Sequence, residues 1–333
     1  MKDRGESRPE STSQGSESTR SIELKSSCST VPGATRVGIV GAGPMGRLHA
    51  RTVSRVASAD GTCVLVSVMD RHAGRAESVA AEFETEAFTD LGDAICEIDA
   101  AIVCGPTSTH HALTSWLLER GLDVLVEKPL AATVAEAREL AVLASSCNRI
   151  LQVGHVEWYN QGWRDAAALV GVPETIEVER LNPASDRGLD MDVVQDLMLH
   201  DLDWVARYLG DEVVEVKAQG RCLNHSGIDE AEAELFFRSG CRVHLRASRV
   251  FPDCRRIVRF SGSQGSAVAD LLTRQVQGLP RLDIAGPDPL QAQWRDFLTS
   301  VRQREQPAAD ASVGVAALEL VERVREAIEG RGP

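Results

Sequence analysis

Lys128 occupies a position in this sequence where a lysine could take part in chemistry. It follows the apolar run 124–126 and the acidic Glu127, and Pro129 fixes the backbone directly after it. A short apolar run of this kind predicts a buried parallel strand, and ligands bind at the carboxyl ends of the strands in an open α/β sheet. We therefore expect Lys128 to contact the reacting part of a substrate. The alternative interpretation is an ordinary surface lysine at the start of a loop.

A second group of polar residues lies in the stretch 192–204. Asp196, His200 and Asp203 are spaced i, i+4 and i+7, so a helix would place them in one stripe. A histidine with a near-neutral pKa is the usual general base for a hydroxyl proton, and a neighbouring carboxylate orients it and raises its basicity. The alternative is a charge cluster at a helix terminus, with a histidine that has only a structural role.

Lys128 and His200 together provide what hydride transfer from a secondary alcohol requires of a protein. One group must accept the hydroxyl proton and another must stabilise the developing oxyanion, while a cofactor takes the hydride. The two residues meet these needs if the helix packs across the carboxyl edge of the sheet.

A glycine-rich turn at 41–46 follows the first predicted strand and opens the first predicted helix. In this context it predicts a dinucleotide site. Gly41 permits a tight turn, Gly43 lets a pyrophosphate approach the backbone, and Gly46 lets helix and strand pack closely. The cofactor-binding residues predicted on this turn are Gly41, Gly43, Pro44, Met45 and Gly46.

Asp70 ends the second predicted strand and bears on the choice of cofactor. A carboxylate there accepts hydrogen bonds from the ribose hydroxyls and repels a 2′-phosphate, so NAD is predicted. The following Arg71 tempers this preference, because it could stack on adenine or reach the 2′-phosphate of NADP. The turn at 104–111 is predicted to border the cofactor, with Thr107 or Ser108 as a helix N-cap. The remaining predicted cofactor-binding residues are Gly105, Pro106, Thr107, His110, Glu127 and Lys128.

Two patterns of strands predict two folded domains. From residue 35 to 155, apolar strands alternate with helices, which predicts a doubly wound Rossmann domain with a parallel sheet. From 156 to 333, strands with alternating polar and apolar residues predict an α+β domain on an open, mostly antiparallel sheet. The terminal helices, predicted at 290–302 and 313–328, are candidates to pack back on the Rossmann domain. Residues 1–34 are rich in Ser, Glu, Arg and Gly and predict a disordered tail.

Composition excludes several classes of function. The net charge of −13 argues against nucleic acid or an anionic membrane as the main partner. The sequence contains no apolar run long enough to span a membrane and no signal-peptide pattern, so a cytoplasmic protein is predicted. The eight cysteines are scattered without a C-x-x-C pair, which favours reduced thiols over disulfides or a metal site.

Three motifs, taken in order, resemble the Gfo/Idh/MocA family of sugar and cyclitol oxidoreductases. They are the turn at 41–46, the Glu127-Lys128-Pro129 tripeptide, and Asp196-x-x-x-His200-x-x-Asp203. The resemblance covers about residues 36–330 and implies a nicotinamide-binding Rossmann domain joined to an α+β domain whose open sheet often mediates dimers or tetramers. It also implies that the catalytic Lys, Asp and His of the family fall on Lys128, Asp196 and His200.

Within that family the stretches 150–157 and 179–201 resemble the bacterial UDP-N-acetylglucosamine 3-dehydrogenases. This implies oxidation of the sugar's C3 hydroxyl in lipid A or surface-sugar synthesis, with a downstream aminotransferase as a possible partner. The sequence departs from the subgroup at Trp158, where an arginine is usual. Oxidation or reduction of a free sugar or inositol, and a non-catalytic NAD-binding sensor, are the alternatives. The predicted substrate contacts are Tyr159, Asn160, Arg180, Asn182, Arg187 and Asp203.

Overall fold

The computed structural model describes residues 33–185, 191–224, 227–277, 282–283 and 286–331. The predicted tail lies outside the described residues apart from its last two positions, and Arg187 also lies outside them.

The first sheet is parallel and six-stranded, with the order β3-β2-β1-β4-β5-β6. This confirms the predicted Rossmann class. The strand order reverses between β1 and β4, and such a reversal marks the ligand site of a doubly wound sheet. The strands are β1 (Thr35–Val40), β2 (Cys63–Met69), β3 (Glu86–Phe88), β4 (Ala100–Val103), β5 (Asp123–Val126) and β6 (Leu151–Val153). The helices of this part are α1 (Pro44–Asp60), α2 (Ala73–Glu82), α3 (Leu91–Ala94), α4 (Thr107–Glu119) and α5 (Val134–Ser146).

The central strands of this sheet are buried on both faces. Every residue of β4 and β5 is buried, so neither strand shows the alternation of a half-exposed strand. This burial fixes the carboxyl end of β5, and with it the backbone of the lysine that follows. Strand β3 and helix α3 were not predicted, because three or four residues carry too little periodicity to be recognised.

The second sheet has the order β14-β13-β12-β11-β7-β10-β9-β8. Strand β7 pairs in parallel with β10, whereas the other six pairings between these strands are antiparallel. The mostly antiparallel character is therefore confirmed. The strands are β7 (Pro173–Leu181), β8 (Val213–Arg221), β9 (Glu230–Phe237), β10 (Arg242–Ser248), β11 (Arg255–Gly262), β12 (Gly265–Asp270), β13 (Gln275–Gln277) and β14 (Leu282–Asp283).

One face of the second sheet is covered by helices and the other carries polar side chains. Residues such as Val243 and Leu245 are buried, while His244 and Arg246 alternate with them on the opposite face. The helices of this part are α6 (Gln161–Val170), α7 (Leu199–Leu209), α8 (Pro289–Gln303) and α9 (Ala311–Ile328). Helix α6 and the central strand β7 were not predicted.

The helix predicted over 192–208 is divided into two parts. A π-helical turn, Val194–Met198, precedes α7. The guanidinium of Arg325 on α9 holds the start of this turn, because its Nε lies 2.7 Å from Asp192 Oδ2 and its Nη2 lies 2.8 Å from Gln195 Oε1. The wider turn changes the helical spacing, and π-helical turns of this kind are frequent at functional sites.

The two C-terminal helices contact the part of the chain that carries the first sheet. Trp294 and Phe297 of α8 belong to the same apolar core as Val37 and Ile39 of β1. Helix α9 contributes Leu318 to a core around β4 and β5, and it contributes further residues to the core of the second sheet. Within the described ranges, no helix is long and apolar enough to cross a membrane.

Gly46 on α1 should not tolerate a methyl group. A Cβ added there would lie 1.9 Å from the carbonyl oxygen of Gly41, whereas a Cβ on Gly74 of α2 would meet no atom within 4 Å. We expect Gly46→Ala to lower the thermal unfolding temperature, because the backbone of the turn must move. Gly74→Ala should leave it unchanged or raise the free energy of unfolding by about 0.5–1 kcal/mol, since alanine favours helix. Equal effects of the two substitutions in thermal denaturation would contradict this packing.

Candidate active site

A cavity of about 410 Å³ lies at the carboxyl edge of β1, β2 and β4. Six of the predicted cofactor residues line it, together with others that the sequence analysis missed. The predicted lining residues are Gly41, Gly43, Asp70, Arg71, Gly105 and Pro106. The additional lining residues are Val40, Met69, Arg75, Cys104, Thr109 and Leu113.

The glycine turn has the shape that a pyrophosphate requires. Gly41 has a φ of +106°, and a Cβ there would lie 2.8 Å from the carbonyl carbon of Cys104. A Cβ on Gly43 would meet no atom within 4 Å, so this glycine faces open space. Gly43 also caps α1 without a side-chain hydrogen bond, which leaves N–H groups of the first helical turn available to an anion. The turn therefore fits a dinucleotide phosphate.

Asp70 is buried and held by the backbone on both oxygens. Its Oδ2 accepts a hydrogen bond from the Ala42 amide and its Oδ1 accepts one from the His72 amide, each at 2.9 Å. Asp70 thus joins the end of β2 to the glycine turn in one orientation. Arg71 and Arg75 line the same end of the cavity.

Other residues predicted to bind the cofactor lie behind the cavity wall. His110 is buried, and its ring nitrogens lie 2.7 Å from the Pro129 carbonyl oxygen and 2.9 Å from that of Gly105. It therefore joins the turn after β4 to the loop after β5. Thr107 is the first residue of α4, and its hydroxyl donates to Met191 Sδ at 3.4 Å. The N-cap is Pro106, so the predicted N-cap at Thr107 or Ser108 was wrong.

Glu127 is also buried and points towards α1. Its Oε1 lies 2.7 Å from His49 Nε2, and its Oε2 accepts the Lys128 amide at 3.2 Å. Burial alone would raise the pKa of Glu127, but the hydrogen bond from His49 and the charge of Lys128 lower it below its ordinary value. An ionised Glu127 thus fixes the backbone at Lys128 from inside the protein. His49 was missed, since a histidine in an amphipathic helix gives no signal of this contact.

Lys128 reaches across to the π-helical turn. Its Nζ donates to the Asp196 Oδ1 at 2.8 Å and to the Asp196 carbonyl oxygen at 2.7 Å. The side chains of Lys128 and Asp196 remain 16% and 23% exposed, so the pair is accessible at the protein surface. The peptide bond between Lys128 and Pro129 is cis. The structure brings these two residues together, whereas the sequence analysis had paired Asp196 with His200.

His200 begins the next turn, at the start of α7, and its surroundings are cationic. Burial lowers its pKa well below the ordinary value near 6.5, and the charges of Lys128, Arg180, His155 and Arg256 lower it further. The expectation that a neighbouring carboxylate raises its basicity was wrong, because burial and these cations lower its pKa. The Asp196 carboxylate binds Lys128. His200 is therefore neutral at neutral pH and can accept a proton.

Asp203 does not share an exposed stripe with Asp196 and His200. Its side chain is 1% exposed and contacts Arg207 at 3.4 Å, with His155 Nδ1 at 3.7 Å. Burial raises the pKa of Asp203 above its ordinary value, although His155 and Arg207 oppose this effect. The predicted stripe fails here, because the π-helical turn interrupts the helix and α7 directs Asp203 into the interior.

Arg180 is buried at the end of β7 and matched by two carboxylates. Its Nε and Nη2 donate to Asp201 at 2.7 and 2.8 Å, and its Nη1 donates to Glu157 at 3.1 Å. Burial alone would lower the pKa of Arg180, but Asp201 and then Glu157 raise it. Arg180 thus holds the segment after β6 against the start of α7.

Tyr159 and Asn160 also have partners within the protein. The Tyr159 hydroxyl donates to Asp296 Oδ2 at 2.6 Å, and Asn160 caps α6 by accepting the Gly162 amide. Trp158 lies between two guanidinium groups, with Arg207 at 3.7 Å and Arg164 at 4.4 Å from its ring centroid. Trp158 therefore packs between two cationic side chains of its own chain.

Asn182 binds the side chain of Arg256, an arginine that was not predicted as a site residue. Its Oδ1 accepts Arg256 Nη2 at 2.8 Å and Cys254 Sγ at 3.4 Å. Arg256 lies 74 residues further along the chain, in β11, and a single arginine in an alternating strand gives no signal of function.

Comparison with protein families assigns both parts of the chain. Residues 35–155 match the profile described as an oxidoreductase family with an NAD-binding Rossmann fold. Residues 153–268 match the GFO/IDH/MocA C-terminal domain.

Several characterised proteins are similar over most of the chain. UDP-N-acetylglucosamine 3-dehydrogenase from Acidithiobacillus ferrooxidans is 32% identical over 312 residues, which is 88% of this chain and 97% of that protein. A solved structure of that enzyme superposes with a TM-score of 0.82 and 31% identity, covering 90% of this chain and 99% of its own. The scyllo-inositol 2-dehydrogenase (NAD(+)) of Bacillus subtilis is 30% identical over 265 residues, covering 72% of this chain and 75% of that protein.

A glycine turn shaped for a pyrophosphate, an oriented Asp70 and two matching family profiles lead to one assignment. The chain belongs to the Gfo/Idh/MocA family and is an NAD-dependent oxidoreductase that acts on hydroxyl groups.

Proposed function

We propose that this enzyme oxidises a secondary hydroxyl of a nucleotide sugar, with C3 of UDP-N-acetylglucosamine as the reacting position. The observation that carries the proposal is the contact of Lys128 with Asp196 beside His200. Lys128 follows β5, which is the neighbour of the cavity-lining strand β4 in the sheet. The similarity to a UDP-N-acetylglucosamine 3-dehydrogenase over 88% of this chain supports the choice of substrate.

The order of the strands supports a cofactor position along the carboxyl edge of the sheet, running from β2 towards β5. Asp70 follows β2, the glycine turn follows β1, Gly105 follows β4 and Lys128 follows β5, and these strands are consecutive in the sheet. A dinucleotide held with its adenosine ribose at Asp70 and its pyrophosphate at the glycine turn would extend towards β5, with its nicotinamide end on the side of Lys128. When bound, NAD supplies the acceptor for the hydride that leaves the carbinol carbon.

The protein's own groups handle the proton and the oxygen. Lys128 donates a hydrogen bond to the substrate oxygen and stabilises the negative charge that develops there. His200, neutral because burial and nearby cations lower its pKa, accepts the hydroxyl proton. Asp196 holds the Lys128 ammonium in position through two oxygens. The substrate loses one hydride and one proton and becomes a ketone.

We also propose two protein partners, an aminotransferase and further copies of this chain. A 3-keto sugar is a substrate for an aminotransferase, so we place this enzyme before such a step in lipid A or surface-sugar synthesis. The polar face of the second sheet is the surface on which we expect a homo-oligomer, a dimer or a tetramer, to form.

A free sugar or inositol is the alternative substrate, and the similarity to scyllo-inositol 2-dehydrogenase favours testing it.

Removing either proposed catalytic group should stop chemistry without preventing cofactor binding. We expect Lys128→Met and His200→Gln each to lower kcat by about 10²- to 10⁴-fold, the usual contribution of a positioned acid or base. NADH formation from UDP-N-acetylglucosamine measures the rate, and titration with NAD measures binding. His111→Gln, at a surface ion pair on α4 and outside this site, is the matched control. Wild-type rates in Lys128→Met or His200→Gln would refute the assignment.

A methyl group on Gly43 should weaken NAD binding without unfolding the protein. The added Cβ would meet no protein atom within 4 Å but would project into the space predicted for the pyrophosphate. We expect Gly43→Ala to raise the Kd for NAD at least about tenfold, equivalent to about 1.4 kcal/mol, with an unchanged unfolding temperature of the cofactor-free protein. Gly74→Ala should bind NAD normally. If Gly43→Ala binds NAD as tightly as the wild type, the cofactor does not approach this turn.

The pH dependence should reflect the low pKa of His200. Its neutral form predominates above the pKa, so kcat/KM should stay constant down to pH 6.5 and fall only at lower pH. The measurement is kcat/KM for the nucleotide sugar against pH with saturating NAD. An acidic limb with its midpoint at or above pH 6.5 would show that His200 is not the base in this environment.

A further inference from the structure

Two arginines lie side by side on the helix-covered face of the second sheet. Arg180 of β7 and Arg256 of β11 are directly paired in the strand register. They follow the same alternation as the buried residues Val178 and Val258, which face the helices. Both therefore point to the side where α7 and the π-helical turn lie.

The two guanidinium groups differ in their counter-ions. Arg180 is matched by Asp201 and Glu157, as described above. Arg256 forms no salt bridge with any residue in the described part of the chain, and its hydrogen bonds go to neutral acceptors. These acceptors are the carbonyl oxygens of Leu181 and Arg255, bound by Nη1, and Asn182 Oδ1, bound by Nη2.

Part of the Arg256 guanidinium remains available for another acceptor. A guanidinium has five N–H groups, and the three hydrogen bonds above use two on Nη1 and one on Nη2. Within the described ranges, the Nε–H and the second N–H of Nη2 have no acceptor. Nε and Nη2 are the two nitrogens of one edge of the guanidinium, and such an edge can bind two oxygens of a phosphate or carboxylate.

Arg256 lies close to the proposed catalytic base. Its partner in the strand register, Arg180, binds Asp201, which directly follows His200 in the chain. The charge of Arg256 also helps to lower the pKa of His200, and burial and the charge of Arg180 lower the pKa of Arg256. A partly buried cation beside another cation, without its own carboxylate, is electrostatically unfavourable until an anion binds. The arrangement is therefore suited to an anionic ligand.

We propose that Arg256 binds the diphosphate of the nucleotide-sugar substrate and thereby selects a charged sugar nucleotide over a neutral sugar or inositol. This inference rests on the proposed function, because it places the diphosphate relative to the reacting hydroxyl. In a sugar nucleotide the diphosphate is attached at C1, two carbons from C3. The cation that binds the diphosphate must therefore lie about the width of one sugar ring from the base that acts at C3. Asn182 acts as a positioning residue, since it orients Arg256 through Nη2.

Binding and kinetics of Arg256→Gln test this role. With the protein saturated with NAD, calorimetric titration with UDP should show binding to the wild type and roughly 10- to 100-fold weaker binding to Arg256→Gln, the loss of a charge-assisted pair of hydrogen bonds. Arg255→Gln is the matched control, because it removes an equal charge from the neighbouring exposed residue and should bind UDP normally. With UDP-N-acetylglucosamine, KM should rise by the same factor in Arg256→Gln, with a much smaller change in kcat.

The outcomes separate this inference from the proposed function. If the wild type binds UDP through Arg256 but does not oxidise UDP-N-acetylglucosamine, the proposed reaction fails while the diphosphate site stands. If Arg256→Gln binds UDP as tightly as the wild type, or if the NAD-saturated wild type does not bind UDP, the inference is overturned even when the enzyme turns over a sugar. Equal losses in Arg256→Gln and Arg255→Gln would indicate a general charge effect and would also overturn it.

Discussion

The contact between Lys128 and Asp196 joins the two halves of the proposed active site. Lys128 is carried by a strand that is buried on all sides, and Asp196 belongs to a π-helical turn that packs on the second sheet. A single ammonium bridges them through a carboxylate and a carbonyl oxygen. The distance between the cofactor edge of the first sheet and the proposed base on α7 depends on this contact. Glu127 with His49 fixes it from one side, and Asp192 with Arg325 from the other.

The charges around this contact are separated by their role. Carboxylates are placed where a structural cation must be neutralised, as at Arg180, whereas His200 is surrounded by cations. The proposed base is therefore kept neutral, and the proposed oxyanion position lies next to a fixed positive charge. A preorganised arrangement of this kind needs little rearrangement during reaction. Arg256, the cation without a carboxylate among the described residues, extends the same field towards the expected position of the substrate.

Much of this arrangement could be predicted from local sequence. The glycine turn, Asp70 and the Lys128 tripeptide are contiguous signals, and each depends on a strand followed directly by a turn. The π-helical turn could not be predicted, because the stretch 192–208 has the pattern of a regular helix. The contacts that hold the wider turn come from Lys128 and Arg325, which are distant in the sequence. The interior placement of Asp203 and the role of Glu127 towards His49 depend on packing between distant segments. Arg256 could not be identified for the same reason, since its position beside Arg180 follows from strand register across the sheet.

In the proposed reaction a hydride leaves C3 of a nucleotide sugar next to Lys128 and His200. The most direct measurement uses UDP-N-acetylglucosamine carrying deuterium at C3, incubated with the enzyme and NAD, followed by mass spectrometry of the nicotinamide product. We expect NADH that contains the deuterium, together with a 3-keto sugar that has lost it. Absence of NADH with this substrate, or NADH without deuterium, would show that this hydride transfer does not occur.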